Sequence, residues 1–365
     1  MSARYRVAII GSGRMGGLIE DEIPAGSFSK PYGHFSAYAA IPETEVAAVA
    51  NRGEARLRRF AQRFGIENTY LDYREMIERE RPDIVSVTTP TFARAEPIVF
   101  AAEHGVRGIY AEKGLCASLA EADAIAAACR AHHVAFNWGA MRRHHDGYRR
   151  LRDAIARGDI GEPRAAVMSF YTDLIKHHPH TLDLVAMLLG DPQPLWVEGR
   201  LIEPGDPLHK APARGLPTYD PAGHRFLPPP GSEIADPMVG TFHVGYAGGA
   251  EGHFLPVPGP FDIEVQGTEG RALAWDNGDT FLVRRVHRGG KEVRETTMRP
   301  QGESPTVCTI RDIIRELETG QRTAGNLEVT LPSVEVQFGL AHSHLQGGAR
   351  VTLPVSDRRL YIPGG

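Results

Sequence analysis

Residues 5–17 read YRVAIIGSGRMGG, and this stretch decides the fold. A short apolar run, YRVAII, opens directly onto Gly11-Ser12-Gly13-Arg14-Met15-Gly16, the form of a buried parallel strand feeding a helix. In a G-x-G-x-x-G loop so placed, the first two glycines permit a tight turn and close backbone approach to a pyrophosphate. A helix N-terminus behind the loop would favour the anion. Gly11, Gly13, Arg14, Met15 and Gly16 are therefore expected at a dinucleotide.

The same alternation continues outward from this loop. TEVAAVA (44–50) reads as a second strand, followed by the helix EARLRRFAQRFG; DIVSVTTP (83–90) is another strand, with a helix after it through FAAEHG. GIYAEKG (108–114) and HVAFNWG (133–139) flank a helix built on ASLAEADAIAAACRAH. Strands alternating with helices of this length imply βαβ units and a doubly wound parallel sheet, placed in a dinucleotide-binding domain over residues 1–138. An insertion, LIEDEIPAGSFSKPYG, lengthens the first crossover, so the tip of the second strand falls at Ala50-Asn51-Arg52. An acid there would accept from a ribose 2′-hydroxyl and repel a 2′-phosphate; Asn51 with Arg52 removes the repulsion and offers a cation, which tilts the cofactor toward NADP over NAD.

After about residue 165 the texture changes to AAVMSFYT, PLWVEGRLI, MVGTFHVGYAGG, FDIEVQGTEG, RALAWDN and FLVRRVH, strand-like segments separated by Gly, Pro and Asp-Asn turns. An antiparallel sheet accounts for them, because hairpins need no crossover helix. Helices are expected at 148–158, at 181–190, and at a late pair, TIRDIIRELETG and PSVEVQFGLAHSHLQ. Residues 139–365 are thus expected as a second, α+β domain, with 203–230 as a surface excursion of no clear period.

Composition sets outer limits. Lys plus Arg number 41 against 45 Asp plus Glu in 365 residues, so no basic field exists to hold nucleic acid or an anionic membrane. Cys116, Cys129 and Cys308 are few, scattered and odd in number, which argues for a reducing compartment. The chain starts without a signal-peptide core and lacks an apolar stretch of the roughly 20 residues a membrane span needs, so a cytoplasmic protein is expected.

Strand-ending Thr88-Thr89-Pro90, then Glu112-Lys113-Gly114, then His180-x-x-Asp183, with a closing Val351-Thr352-Leu353-Pro354, resemble the Gfo/Idh/MocA oxidoreductases over nearly the whole chain. The resemblance implies an N-terminal Rossmann domain, a C-terminal open sheet and a homodimer or homotetramer built on that sheet. It further implies Lys113 as the active-site lysine reaching both the nicotinamide ribose and the reacting hydroxyl, with Glu112 anchoring the strand end. His180 matches the family's catalytic histidine, whose ordinary pKa near 6.5 suits proton transfer near neutrality. Asp183, one helical turn on, either orients that imidazole or binds a neighbouring substrate hydroxyl. Thr88, Thr89, Pro90, Asn137 and Arg143 complete the expected cofactor side.

Two positions depart from the family pattern. Gly114 stands where a proline is common, which loosens the backbone behind Lys113. Lys176 stands four residues before His180, where many sugar and polyol dehydrogenases carry an aspartate; either the substrate carries a carboxylate or Lys176 points away, and Asp173 is a possible substitute. Pro179 interrupts any regular ligand spacing among His177, His178 and His180, so no metal is expected. The pairs His132-His133 and His144-His145 are expected at the surface or a domain junction, and Trp138 in packing.

These features together predict an NAD(P)-dependent oxidoreductase acting on a secondary carbinol of a sugar, cyclitol or sugar derivative. Two other readings keep the same cofactor loop: transient oxidation that assists cleavage of a glycosidic bond, and a non-catalytic sensor of cofactor or sugar.

Overall fold

The opening run forms β1 (Tyr5–Ile10), and helices and strands then alternate: α1 (His34–Ala39), β2 (Thr44–Ala50), α2 (Glu54–Phe64), β3 (Asn68–Tyr70), α3 (Tyr73–Glu80), β4 (Ile84–Val87), α4 (Ala95–Glu103), β5 (Gly108–Ala111), α5 (Leu119–Ala131) and β6 (Ala135–Trp138). Strands dominate thereafter: α6 (Asp146–Ala156), β7 (Pro163–Ser169), α7 (His178–Leu188), β8 (Pro194–Leu201), β9 (Thr218–Asp220), β10 (Arg225–Leu227), β11 (Val239–Tyr246), β12 (Glu251–Leu255), β13 (Asp262–Gly267), β14 (Gly270–Trp275), β15 (Thr280–Val286) and β16 (Val293–Met298). The chain closes with α8 (Pro305–Thr319), α9 (Leu327–Leu345) and β17 (Val351–Thr352). This computed structural model describes residues 5–24, 30–207, 210–286, 293–298 and 301–364; the first four residues, the middle of the insertion and two residues of the 203–230 excursion lie outside the described residues. No described helix is long and apolar enough to cross a membrane.

The chain divides into two compact units, and the division is not a single cut. The first unit takes Met1–Cys116, Ala120–His144 and Gly302–Leu327; the second takes Ala117–Leu119, His145–Gln301 and Glu328–Gly365. Segment 302–327, expected with the C-terminal half, thus packs in the first unit. Its allegiance follows from α8, whose Val307, Ile310, Ile313 and Ile314 are buried among Val7, Tyr38, Ile84 and Tyr110. Each such side chain removed from water is worth about 1.5–3 kcal/mol. Gly108 makes the approach possible, since a methyl there would sit 2.7 Å from Ile313 Cγ2. The helix is capped at both ends, by Ser304 Oγ accepting from the Thr306 N–H and by Gly320 in the left-handed region at φ 73°. Beyond it, Gly325 O accepts from the Trp138 N–H, so the free edge of β6 is covered.

In the first unit six parallel strands run in the order β3-β2-β1-β4-β5-β6. Val7, Ala8, Ile9 and Ile10 of β1 are all buried, as a strand covered on both faces requires. The order reverses between β1 and β4, and ligands of such sheets bind in the crevice beyond the strand ends at that point. β3 and α3 went unforeseen, because Asn68-Thr69-Tyr70 is a short, mostly exposed edge strand with no apolar signal.

The second unit carries a nine-stranded sheet in the order β16-β15-β14-β13-β7-β12-β11-β8-β17, antiparallel except where β7 and β12 run parallel. The 203–230 excursion is more ordered than its composition suggests. It folds into the β9-β10 hairpin, with Leu216 packed against Ile202, Met238 and Tyr171.

Candidate active site

The three loop glycines meet three different constraints. Gly11 sits at φ 107°, and a Cβ there would lie 2.6 Å from Thr88 Oγ1. A Cβ on Gly16 would fall 2.4 Å from the Gly11 carbonyl oxygen, whereas one on Gly13 would meet nothing within 4 Å. Space therefore opens where a pyrophosphate would approach the backbone, and the residues fit a dinucleotide. The expected helix behind the loop is interrupted. A turn at 14–17 gives way to a 3-10 turn (Leu18–Asp21), and the carbonyls of Met15 and Gly16 accept from the N–H groups of His34 and Phe35 at 3.0 and 2.9 Å. The insertion is thus spliced out of the helix after its first turn, and α1 supplies the next. Arg14, expected at the cofactor, pairs with Glu22 of the insertion at 2.8 Å.

At the tip of β2, Asn51 Oδ1 lies 3.4 Å from the Ser12 N–H and its amide donates to Gly53 O at 3.1 Å. Arg52 is exposed beside it, and no carboxylate stands at the strand end. Thr88 Oγ1, beyond β4, donates to Gly11 O at 2.8 Å and so ties that strand end to the glycine loop.

Lys113, half-buried, follows β5. Behind it the Glu112 carboxylate is sealed from water and takes the Lys113 N–H on Oε2 at 3.2 Å and His34 Nε2 near Oε1 at 3.2 Å. Burial pushes this carboxyl up, but the His34 hydrogen bond and the charges of Lys113, His34 and Arg94 outweigh it and hold the group below the ordinary carboxylate range. His34 stacks on Tyr110 at 4.0 Å, and its Nδ1 is 2.8 Å from Ser86 Oγ, itself 3.0 Å from the Tyr38 hydroxyl. Arg94, fully buried, donates to the carbonyls of Thr89 and Gly114, and burial lowers its pKa to about 10. The backbone behind Lys113, expected to be loose at Gly114, is therefore pinned from the side.

In the second unit, α7 starts at His178, and the segment before it is densely polar. His177 Nδ1 lies 2.6 Å from Asp173 Oδ1, and Arg214, from the 203–230 excursion, reaches Asp173 Oδ2 at 3.3 Å and the Asp236 carbonyl at 3.4 Å. Burial raises the Asp173 carboxyl, yet the His177 hydrogen bond and the charges of His177, Arg214 and Lys176 bring it net below its usual value. Asp173, the possible partner for His180, is thus engaged by His177. Buried Asp236 accepts the N–H groups of Ile175 and Lys176 at 2.8 and 2.9 Å. His180 and Asp183 are both buried on α7, while Lys176 is half-buried.

A sequence profile described as "Oxidoreductase family, NAD-binding Rossmann fold" matches residues 5–140. The myo-inositol 2-dehydrogenase of Thermotoga maritima is 27% identical over 158 residues, 43% of this chain and 42% of that protein. The dTDP-3,4-didehydro-2,6-dideoxy-alpha-D-glucose 3-reductase of Streptomyces violaceoruber is 27% identical over 314 residues, 76% of this chain and 88% of that one. Residues 5–140 match the Gfo/Idh/MocA oxidoreductase family. A levoglucosan dehydrogenase solved with NADH and levoglucosan shares the fold, with a TM-score of 0.77 at 18% identity over 96% of this chain and 100% of that one. The match to the inositol dehydrogenase spans less than half of that relative's length.

Asn137, expected at the cofactor, is fully buried: its amide donates to Thr309 O at 3.1 Å and Asp312 Oδ2 at 3.2 Å, and its oxygen accepts the Trp138 N–H. It binds α8. Arg143 is buried in a 3-10 turn (Met141–His144) of the first unit. Of the two places expected for His144 and His145, surface or domain junction, the chain puts them at the junction. Both are buried, with the unit division falling between them, and His145 caps α6 by accepting the Gly147 N–H. Pro90 and the His132-His133 pair are exposed, and Trp138 is buried. Arg94, His34 and Arg214 escaped the sequence reading, being single residues in segments whose periodicity does not mark them.

Proposed function

We propose that the chain is an NAD(P)-dependent oxidoreductase that moves hydride to or from a secondary carbinol of a sugar, cyclitol or sugar derivative. The observation that carries this reading lies within the first unit, where an open glycine loop is tied through Thr88 to the strand ends and Lys113 is held by Glu112 and Arg94. A nicotinamide ring delivered by that loop supplies the hydride acceptor or donor. The Lys113 ammonium stabilises the alkoxide that develops at the carbinol oxygen. His180 takes the hydroxyl proton during oxidation and returns it during reduction, with Asp183 one turn along α7 fixing the imidazole or a neighbouring hydroxyl. The absence of an acid at Asn51-Arg52 supports NADP over NAD. The few, scattered cysteines Cys116, Cys129 and Cys308 support a reducing compartment, and the open sheet supports a homodimer or homotetramer. Replacing Lys113 with Met tests the assignment. Turnover should vanish while cofactor affinity stays within about tenfold; undiminished turnover removes Lys113 from the chemistry.

A further inference from the structure

We propose that the substrate bears an anionic oxygen group, a carboxylate or a phosphate, received by Lys176 with Arg214 and His177 beside it. The inference rests on the oxidoreductase reading and concerns the substrate class of that same site.

The argument is one of charge balance around the start of α7. Two carboxylates and two permanent cations share this region. Asp236 is sealed from water, and its two oxygens are taken up by the backbone N–H groups of Ile175 and Lys176. Burial and the neighbouring Asp173 charge push its carboxyl well above the ordinary range, and its oxygens are taken by the backbone rather than by a side-chain cation. Both oxygens of Asp173 are engaged as well, Oδ1 by His177 at 2.6 Å and Oδ2 by Arg214 at 3.3 Å. Among the described residues no carboxylate lies within ion-pair distance of the Lys176 ammonium. The Arg214 side chain is 27% exposed, and its Nε is buried without a hydrogen-bond partner. Among the described residues the Lys176 ammonium therefore has no carboxylate partner, in a partly desolvated place where its charge is screened less than at an open surface. A neutral polyol would leave that ammonium unpaired, whereas a carboxylate or phosphate would neutralise it through charge-assisted hydrogen bonds. The arrangement also separates tasks within Lys176. Its backbone N–H holds Asp236 and its side chain is left for the ligand, so a side-chain substitution keeps the local fold.

The test uses the full-length protein with NAD and with NADP, and compares D-glucuronate and D-galacturonate with D-glucose, D-galactose and the two 6-phosphates. Hydride transfer is followed by absorbance of the reduced ring. An anionic member should exceed its neutral partner in kcat/KM by about tenfold or more at low ionic strength, with the advantage shrinking as salt rises. The uronates and the phosphates separate the two sources of charge. Lys176→Gln should raise KM for the preferred anion by about tenfold more than for its neutral partner, and Arg214→Lys should do so in the same sense. Equal or better use of neutral sugars by the native protein, or a Lys176→Gln loss that is the same for charged and neutral members, overturns the inference and leaves the oxidoreductase reading intact. Cofactor binding with no hydride transfer to any member brings down that reading and the inference with it.

Discussion

His34 Nε2 stands 3.2 Å from Glu112 Oε1 with both side chains sealed from solvent, so the carboxylate next to Lys113 is held by a histidine from the far side of the insertion. With Glu112 ionised, Nε2 must carry the donated proton, which leaves Nδ1 to Ser86 Oγ. Removing one member of such a pair strands a buried polar group. His34→Phe keeps a ring to stack on Tyr110 but cannot donate, and should cost about 3 kcal/mol in urea unfolding. In a double-mutant cycle with Glu112→Gln the two losses should couple by at least about 1 kcal/mol; simple additivity would show that the contact carries no energy of its own.

Arg94 joins the ends of β4 and β5 by donating to Thr89 O and Gly114 O. Lysine keeps the charge but not the fork, so it cannot reach both carbonyls at once. Arg94→Lys is expected to destabilise the protein by about 2 kcal/mol and to lower kcat more than cofactor affinity, because Lys113 follows the same strand end. Equal losses in kcat and cofactor binding, measured by steady-state rates and ligand titration, would reduce Arg94 to a general structural prop.

The legible and illegible parts of this chain differ in range. β1 and the glycine loop were readable because a buried parallel strand and a tight turn are written in adjacent residues. The break in the helix behind Gly16 was hidden, since its hydrogen bonds resume at His34 across an insertion that leaves no mark on local periodicity. The apolar stripe of α8 announced a helix, yet an amphipathic face does not say which sheet will cover it. Asp173 and His177 lie four residues apart in the sequence, but the motif centred on His180 drew attention to the later histidine. Asn137 was misplaced for a similar reason: a strand-end amide suits a cofactor and a buried helix carbonyl equally well, and only the packing of α8 decides between them.

Gly13 and Gly16 should respond oppositely to the same methyl. At Gly16 the added Cβ would lie 2.4 Å from the Gly11 carbonyl oxygen, so Gly16→Ala should lower the melting temperature without cofactor. At Gly13 it meets nothing within 4 Å, and the apo protein should stay within about 0.5 kcal/mol of native stability. The methyl would then occupy the space reserved for the pyrophosphate, and NAD(P) affinity should fall by about tenfold or more. Undiminished binding by Gly13→Ala would move the cofactor away from this loop.

His178 gives the fold an acid sensitivity that does not depend on catalysis. Buried against Phe242 and Phe254, with Nδ1 2.8 Å from Thr181 Oγ1, it has its pKa lowered from 6.5 to about 3 by desolvation, which outweighs the opposing pull of Asp173. Between those two values the unfolded chain binds a proton that the native ring refuses. Stability from this group is therefore complete above pH 6.5 and is lost as pH falls toward 3, amounting to about 2 kcal/mol by pH 5. His178→Gln removes the titrating ring, so its unfolding free energy should drop less between pH 7.5 and pH 5 by that amount, whatever its absolute stability. Urea unfolding at the two pH values makes the comparison, and parallel losses in the native protein and the variant would show that the His178 ring does not reach the native state uncharged.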